Sequence, residues 1–292
     1  MNTTHTQHTL KRIAETKIWI DFNMTRMWHE DRIKPTTHPL NLQRKTKFIS
    51  YNVDSKTRKG VKLGWLTGIQ YFAPSDGSGV IDVCPDASEA CIKSCLNTAG
   101  RASFDPKIQD ARIFRTMVFV QAKTHYWEQT IKDIESLIRA SQRKQLIPCV
   151  RMNGTADLPW ERMKIKGTKY DGLTLMEAFP GVQFYDYTKT IKRLGTTPDN
   201  YYLLASYSEN MTLETMHDIL KASFNVAVVF RVCEHKGNCK CALPSEWQGV
   251  KVINGDKSDV RFEDPQGVIV GLKAKGKAKY DTDGFVINVS SN

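Results

Sequence analysis

Leu66-Thr67-Gly68-Ile69-Gln70-Tyr71-Phe72 ends at Ala73-Pro74, and the turn-rich run Ser75-Asp76-Gly77-Ser78-Gly79 follows. The chain then enters Val83-Cys84-Pro85-Asp86-Ala87-Ser88-Glu89-Ala90-Cys91-Ile92-Lys93-Ser94-Cys95. The first seven residues read as a strand, and Pro and Gly mark its end. Downstream, residues 106–144 carry helical periodicity. One stripe is Ile108, Ala111, Phe114, Met117 and Val118; a second is Trp127, Ile131, Ile134 and Ile138. Asp105-Pro106 is a helix start, with Asp as cap and Pro in the first turn. Short strands then recur at Ile147–Met152, Val182–Tyr187, Tyr201–Ala205, Val226–Val232, Val250–Ile253 and Val268–Leu272, with a helix at Leu213–Ala222. Strands alternating with helices predict parallel pairing in an α/β layer structure. The expected fold is a full or partial (β/α) barrel, and an open doubly wound sheet is the alternative.

The 292 residues suffice for one large domain with a real core. The expected division is a basic, partly disordered or helical extension over 1–45, one α/β domain over 46–280, and a C-terminal tail over 281–292. A helix is expected at Leu10–His29, and Lys34-Pro35-Thr36-Thr37-His38-Pro39 reads as a linker. No apolar run is long enough to span a bilayer, and the N-terminus lacks the apolar segment of a secretory signal. A cytoplasmic protein is the expectation. The net charge is +11 and unevenly placed: residues 1–62 hold 13 Lys/Arg against 5 Asp/Glu, the remainder 29 against 26. A basic arm suits DNA or RNA, because each phosphate contact releases counterions. It also suits simple solubility.

Seven cysteines are present. In a cytosolic chain, clustered cysteines more often bind metal or do redox work than form disulfides. Cys84, Cys91 and Cys95 follow the spacing C-x6-C-x3-C. Cys91 and Cys95 share a face if the segment is helical, and Cys84 folds back across that turn. Three thiolates with a free fourth position suit a [4Fe–4S] cluster with one open iron, or zinc completed by water or a fourth side chain. Radical S-adenosylmethionine enzymes also carry their cysteines after a first strand, but with C-x3-C-x2-C spacing. The likeness is therefore one of layout, and S-adenosylmethionine enters as a candidate cofactor on that basis. Cys233-x-His235-x3-Cys239-x-Cys241 is a second candidate metal set, either a zinc site of its own or a source of one more ligand for the first. Cys149 reads as core.

Polar residues gather where strands end: Arg151, Asn153 and Asp157; Asp186, Thr188 and Lys189; Ser206, Ser208 and Glu209; Arg231; Asn254, Asp256 and Asp259; Lys273. In a parallel barrel they converge on one mouth, the same mouth as the cysteine loop. Arg151, Asn153, Asp157, Asp186, Lys189, Glu209, Asp256, Asp259 and Lys273 are the candidate catalytic residues; Asp256 and Asp259 suit acid–base work or a hard cation. Each alone is equally a cap or turn residue.

The segments CPDASEACIKSCLNTAGR (84–101), RMNGTADLPWE (151–161), VQFYDYTK (182–189) and INGDKSDVRFEDP (253–265) resemble the phage and plasmid gene-product-88-like family over about residues 46–280. The resemblance implies a phage or mobile-element setting. Its motifs single out the three loop cysteines, Arg101, Arg151, Asn153, Asp157, Asp186, Lys189, Asp256 and Asp259. Arg101 and Asn153 are candidate cofactor contacts. The Cys233–Cys241 loop lies outside those motifs.

Three functions follow as expectations. The first is an iron–sulfur, radical-type enzyme acting on a nucleotide or nucleic acid. The second is a nucleic-acid-binding protein of replication or host takeover with structural zinc. The third is a metal-dependent nuclease in which Asp157, Asp186, Asp256 and Asp259 gather Mg²⁺.

Overall fold

The computed structural model describes residues 40–51, 55–232 and 241–289. The helix expected at Leu10–His29, the linker after it, and Cys233, His235 and Cys239 lie outside these residues. The strands are β1 (Ile49–Tyr51), β2 (Trp65–Gln70), β3 (Ile147–Arg151), β4 (Gln183–Thr188), β5 (Tyr201–Ser206), β6 (Val226–Arg231), β7 (Glu246–Trp247), β8 (Val250–Asn254), β9 (Ile269–Lys273) and β10 (Val286–Asn288). The helices are α1 (Ser55–Gly60), α2 (Glu89–Lys93), α3 (Pro106–Gln121), α4 (Lys123–Arg143), α5 (Leu175–Ala178) and α6 (Leu213–Lys221). The seven expected strands are all present. The short β1, β7 and β10 were not expected, and β10 falls in what was read as a tail.

Asp105 caps α3 as the sequence implies, accepting from the Lys107 amide at 3.1 Å, with Pro106 in the first turn. The long helical stretch is not continuous. Ala122 leaves the helical conformation between α3 and α4, and the two helices pack against each other. Phe114 and Val118 of the expected α3 stripe are buried, but so are Arg112 and Arg115, which no apolar pattern predicts.

The sheet runs β1-β2-β3-β4-β5-β6-β9-β8-β7, with β10 also on β6. Strands β2 to β6, β9 and β8 are parallel; β1 and β7 are antiparallel to their neighbours. The expected barrel is not closed. Among the described residues β1 and β7 end the order and do not pair with each other. The physical reason lies in the winding. From β2 to β6 each strand is laid beside the last in one direction. The chain then jumps to the far edge and returns inward through β7, β8 and β9, which leaves the two-residue antiparallel β7 at that edge, unpaired with β1 among the described residues.

This reversal also assigns the faces. Right-handed crossovers in one direction place their connections on one face of the sheet, and a reversed direction places them on the other. Leu66, Val150, Phe184, Leu203, Val228 and Ile269 belong to one core with Tyr126, Ile134 and Leu137 of α4 and with Trp160. Leu204, Ala227 and Val270 form a smaller cluster with Tyr187, Tyr202 and Leu272. Over that second face comes the β8–β9 connection: Phe262 packs edge-on against Trp65 and Tyr185, with ring centres 4.6 and 5.6 Å apart.

The sheet forks at β6. β5 pairs with it only at Val226 and Ala227, and β10 pairs with it at Val229, Phe230 and Arg231. The strand ends therefore diverge and leave a cavity between them.

One glycine decides how the loop after β3 meets β2. The Gly154 amide donates to the Gln70 carbonyl at 2.9 Å, and a Cβ at position 154 would lie 2.4 Å from that same oxygen. Gly154→Ala is expected to destabilise the protein by about 1–3 kcal/mol, the cost of overpacking. Gly181→Ala, with nothing within 4 Å of the added carbon, is expected to stay within about 0.5 kcal/mol of the parent. Urea unfolding of the two variants checks the contrast; equal midpoints would refute the close-approach reading.

Candidate functional site

The cavity at the strand ends has a volume of about 390 Å³, in the range of small-molecule sites. Cys84, Cys91 and Cys95 line it, as do Arg151, Asn153, Asp157, Lys189, Asp256, Asp259 and Lys273. The structure thus brings together ten of the candidate metal-binding and catalytic residues, with Thr188 and Ser206 of the polar strand ends beside them.

The cysteine loop is pinned by its own polar residues. The Ser88 hydroxyl caps α2 by accepting from the Cys91 amide at 3.2 Å, which is why so short a helix forms here. α2 stops at Lys93, so Cys95 caps the following 3₁₀ turn, Leu96–Thr98, rather than lying on the same helix. The Cys84 amide donates to Asp82 at 2.8 Å. Two sulfurs accept backbone N–H groups: Cys84 from Ser75 at 3.4 Å, and Cys95 from Asn97 at 3.5 Å. Burial pushes all three thiols up, most strongly Cys84. The charge of Lys189 pulls Cys91 the other way, and that of Arg112 pulls Cys95. As they stand the three are neutral thiols at pH 7.

Arg112 is a site neighbour that sequence reading missed. It is buried on α3, lies 4.8 Å over the Tyr71 ring and donates to Asn97 Oδ1. The signal was present: an arginine beside the apolar stripe of a helix that packs against the cysteine loop.

Asp157 and Asn153 lie in the loop after β3 and are deeply engaged. Arg193 Nη1 donates to Asp157 Oδ1 at 2.6 Å; the Lys189 amide and Thr188 hydroxyl donate to Oδ2 at 2.7 and 3.2 Å. Arg193 also grips Glu161 through Nε and Nη2 at 3.0 and 2.9 Å. The Asn153 carboxamide donates to the Leu158 carbonyl and accepts from the Leu158 amide and Trp160 Nε1. Asn153 ties its loop shut. Asp186 sits behind the cavity wall and accepts from the Asn153 amide at 2.7 Å and Tyr201 OH at 2.8 Å.

On the second face, Asp259 accepts from Arg151 Nη1 at 3.3 Å and from Tyr185 OH at 3.0 Å, with Tyr187 OH at 3.5 Å. The Arg151 guanidinium lies 4.5 Å over the Tyr187 ring. Asp256 pairs with Lys275 at 2.7 Å and accepts from the Lys273 amide at 2.9 Å.

Other expected residues are placed elsewhere. Arg101 is exposed and pairs with Asp105 at 3.3 Å. Glu209 does not line the cavity, although its charge reaches Cys91. Of the second cysteine set only Cys241 is described; its carbonyl accepts from Lys273 Nζ at 2.6 Å. Among the described residues no three His, Cys, Asp or Glu side chains are grouped so as to hold a metal ion. The three thiols line one cavity without forming such a group, and the four aspartates do not form one either.

The chain belongs to the gene product 88 family, which matches residues 41–288. No curated protein and no solved structure matches it. No helix among the described residues is long and apolar enough to cross a membrane.

Burial pushes the Asp186 carboxyl up to about 7, against the opposing pull of Arg151, the Asn153 amide and Tyr201. An unfolded aspartate titrates near 3.9. The folded protein therefore keeps this proton from about pH 4 to pH 7 while the unfolded chain has lost it, and stability falls as pH rises through that window. Asp186→Asn is expected to flatten that fall by up to about 1.4 kcal/mol per pH unit. Denaturant unfolding across the window tests this; an unchanged slope would place the proton elsewhere.

Proposed function

We propose that this member of the gene product 88 family is an iron–sulfur enzyme whose cluster is held by Cys84, Cys91 and Cys95 inside the strand-end cavity. The observation that carries the reading is the set of three thiols lining one cavity together with Arg151, Lys189 and Lys273. The donor chemistry favours a cluster over a single ion. Three thiols in one cavity suit a polynuclear group, and backbone N–H groups already point at two of the sulfurs, as they do where protein tunes such clusters. Burial that keeps the thiols neutral is reversed by a cationic centre, which deprotonates its ligands. Bound there, the group would supply an open iron at which S-adenosylmethionine or the substrate itself binds. This chain's own residues then orient the substrate. Lys189 Nζ is anchored by Ser206 Oγ and the Tyr207 carbonyl at 3.2 and 3.1 Å, and the Asp157–Arg193 pair holds the Lys189 backbone in place.

The proposed substrate is a nucleotide or nucleic acid, in keeping with a phage or mobile-element setting and with the basic arm. Structural zinc and a Mg²⁺-dependent nuclease are the competing readings. The nuclease has least behind it, since Asp157, Asp256 and Asp259 each already face a cation.

Purified without oxygen, the protein is expected to be brown, with about four irons and four sulfides per chain, and the Cys84→Ala, Cys91→Ala, Cys95→Ala variant colourless. A colourless parent carrying one zinc overturns the iron reading. Deleting residues 1–45 is expected to abolish salt-dependent retention on single-stranded DNA and leave the colour intact. Retention that survives the deletion would place the nucleic-acid contact outside the arm.

A further inference from the structure

The charges lining the cavity do not balance. Three carboxylates line it, and each is already paired: Asp157 with Arg193, Asp256 with Lys275, Asp259 with Arg151. Two lining ammonium groups have no carboxylate partner among the described residues. Lys189 Nζ is held by a hydroxyl and a carbonyl, and Lys273 Nζ by the Cys241 carbonyl. Neutral acceptors orient an ammonium without cancelling its charge. Both lysines are half-buried, so water screens them less than it would at the surface. Outside the lining, Asp281 accepts from the Ser94 hydroxyl, and Glu209, whose Oε2 is buried without a hydrogen-bond partner among the described residues, acts on Cys91 through its charge; neither pairs with Lys189 or Lys273 among the described residues.

Their placement is specific. Lys189 follows β4 and reaches across the end of β5, with its ammonium 4.9 Å over the ring of Phe285, just before β10. Lys273 ends β9 beside Phe230 of β6. The two stand on either side of the fork where β6 leaves β5. A separate observation points the same way: Arg151 Nε is buried without any hydrogen-bond partner, on a residue that lines the same cavity. A buried donor left unmade is costly unless a ligand satisfies it.

We infer that the cavity binds a small dianion, a phosphate ester or a dicarboxylate, between Lys189 and Lys273, with Arg151 Nε as a further donor. This deepens the enzyme reading by naming the charge its substrate must carry, but the site is complete without a cluster. Two point-charge ammonium groups with no second guanidinium suit a phosphoryl group. A dicarboxylate has the same charge, and the test separates the two.

Isothermal titration of the full chain with inorganic phosphate and with succinate, at low salt and about pH 8 where phosphate is a dianion, provides that test. It is run on anaerobically purified protein and on protein stripped of metal by chelation. At least one dianion is expected to bind. Lys189→Gln and Lys273→Gln should each weaken it tenfold or more, Lys189→Arg should retain it, and the exposed Lys279→Gln should leave it unchanged. Binding of phosphate alone identifies a phosphoryl ligand. Binding of succinate alone supports the site and moves the substrate away from nucleotides. If neither binds in either form, or if both glutamine variants, folded by their melting curves, bind as the parent does, the inference fails. Iron without dianion binding defeats this inference alone; dianion binding without iron defeats the cluster alone.

Discussion

The handedness of parallel crossovers is the constraint on which the site depends. The chain lays β2 to β6 down in one direction and returns through β7, β8 and β9 in the other. A right-handed connection between β8 and β9 must then cross the face opposite the helices. That single consequence brings Asp256, Asp259 and Phe262 over the inner side chains of β2, β3 and β4. It also ends β9 beside β6, and Lys273 there lines the same cavity as Arg151 and Lys189.

Buried charge holds the loops around that cavity. Arg193, almost wholly buried, bridges Asp157 after β3 and Glu161 farther along the same loop, while Asp157 takes the Lys189 amide after β4. Removing one member of such a set leaves an uncompensated buried charge and costs about 3–5 kcal/mol, so the set acts as a unit. Several polar residues of the conspicuous motifs belong to this scaffold. Asn153, which lines the cavity, and Asp186, which lies behind it, tie strand ends and loops together. Among the described residues, the three thiols and the two lysines line the cavity without an ion-pair partner.

The cysteine loop and the lysines complement each other. Burial keeps the thiols protonated, and Lys189 and Arg112 act in the opposite sense on Cys91 and Cys95. A cavity that concentrates cationic groups against neutral thiols is prepared for negative charge, whether it arrives on a ligand or develops on the sulfurs. Both proposals draw on that one electrostatic fact and differ in where the negative charge resides.

The local order was legible along the chain because strands and helices write their periods into neighbouring residues. LTGIQYF reads as a strand, Asp105-Pro106 as a helix start, and Cys84, Cys91 and Cys95 as a set, and the structure has β2, a capped α3 and one shared cavity. Gathering polar strand ends at one mouth followed from parallel pairing alone. The order of strands did not, because nothing local to β7, β8 or β9 says which neighbour each will take; the sheet is open where a barrel was expected. Nor did the pairing of Arg151, Asp157 and Asp259, against a Lys189 and a Lys273 that have no carboxylate partner among the described residues, since the partners lie tens of residues away. Sequence by itself determined the elements and the chemistry they carry. Tertiary structure alone decided which charges were cancelled, because cancellation depends on distance in space.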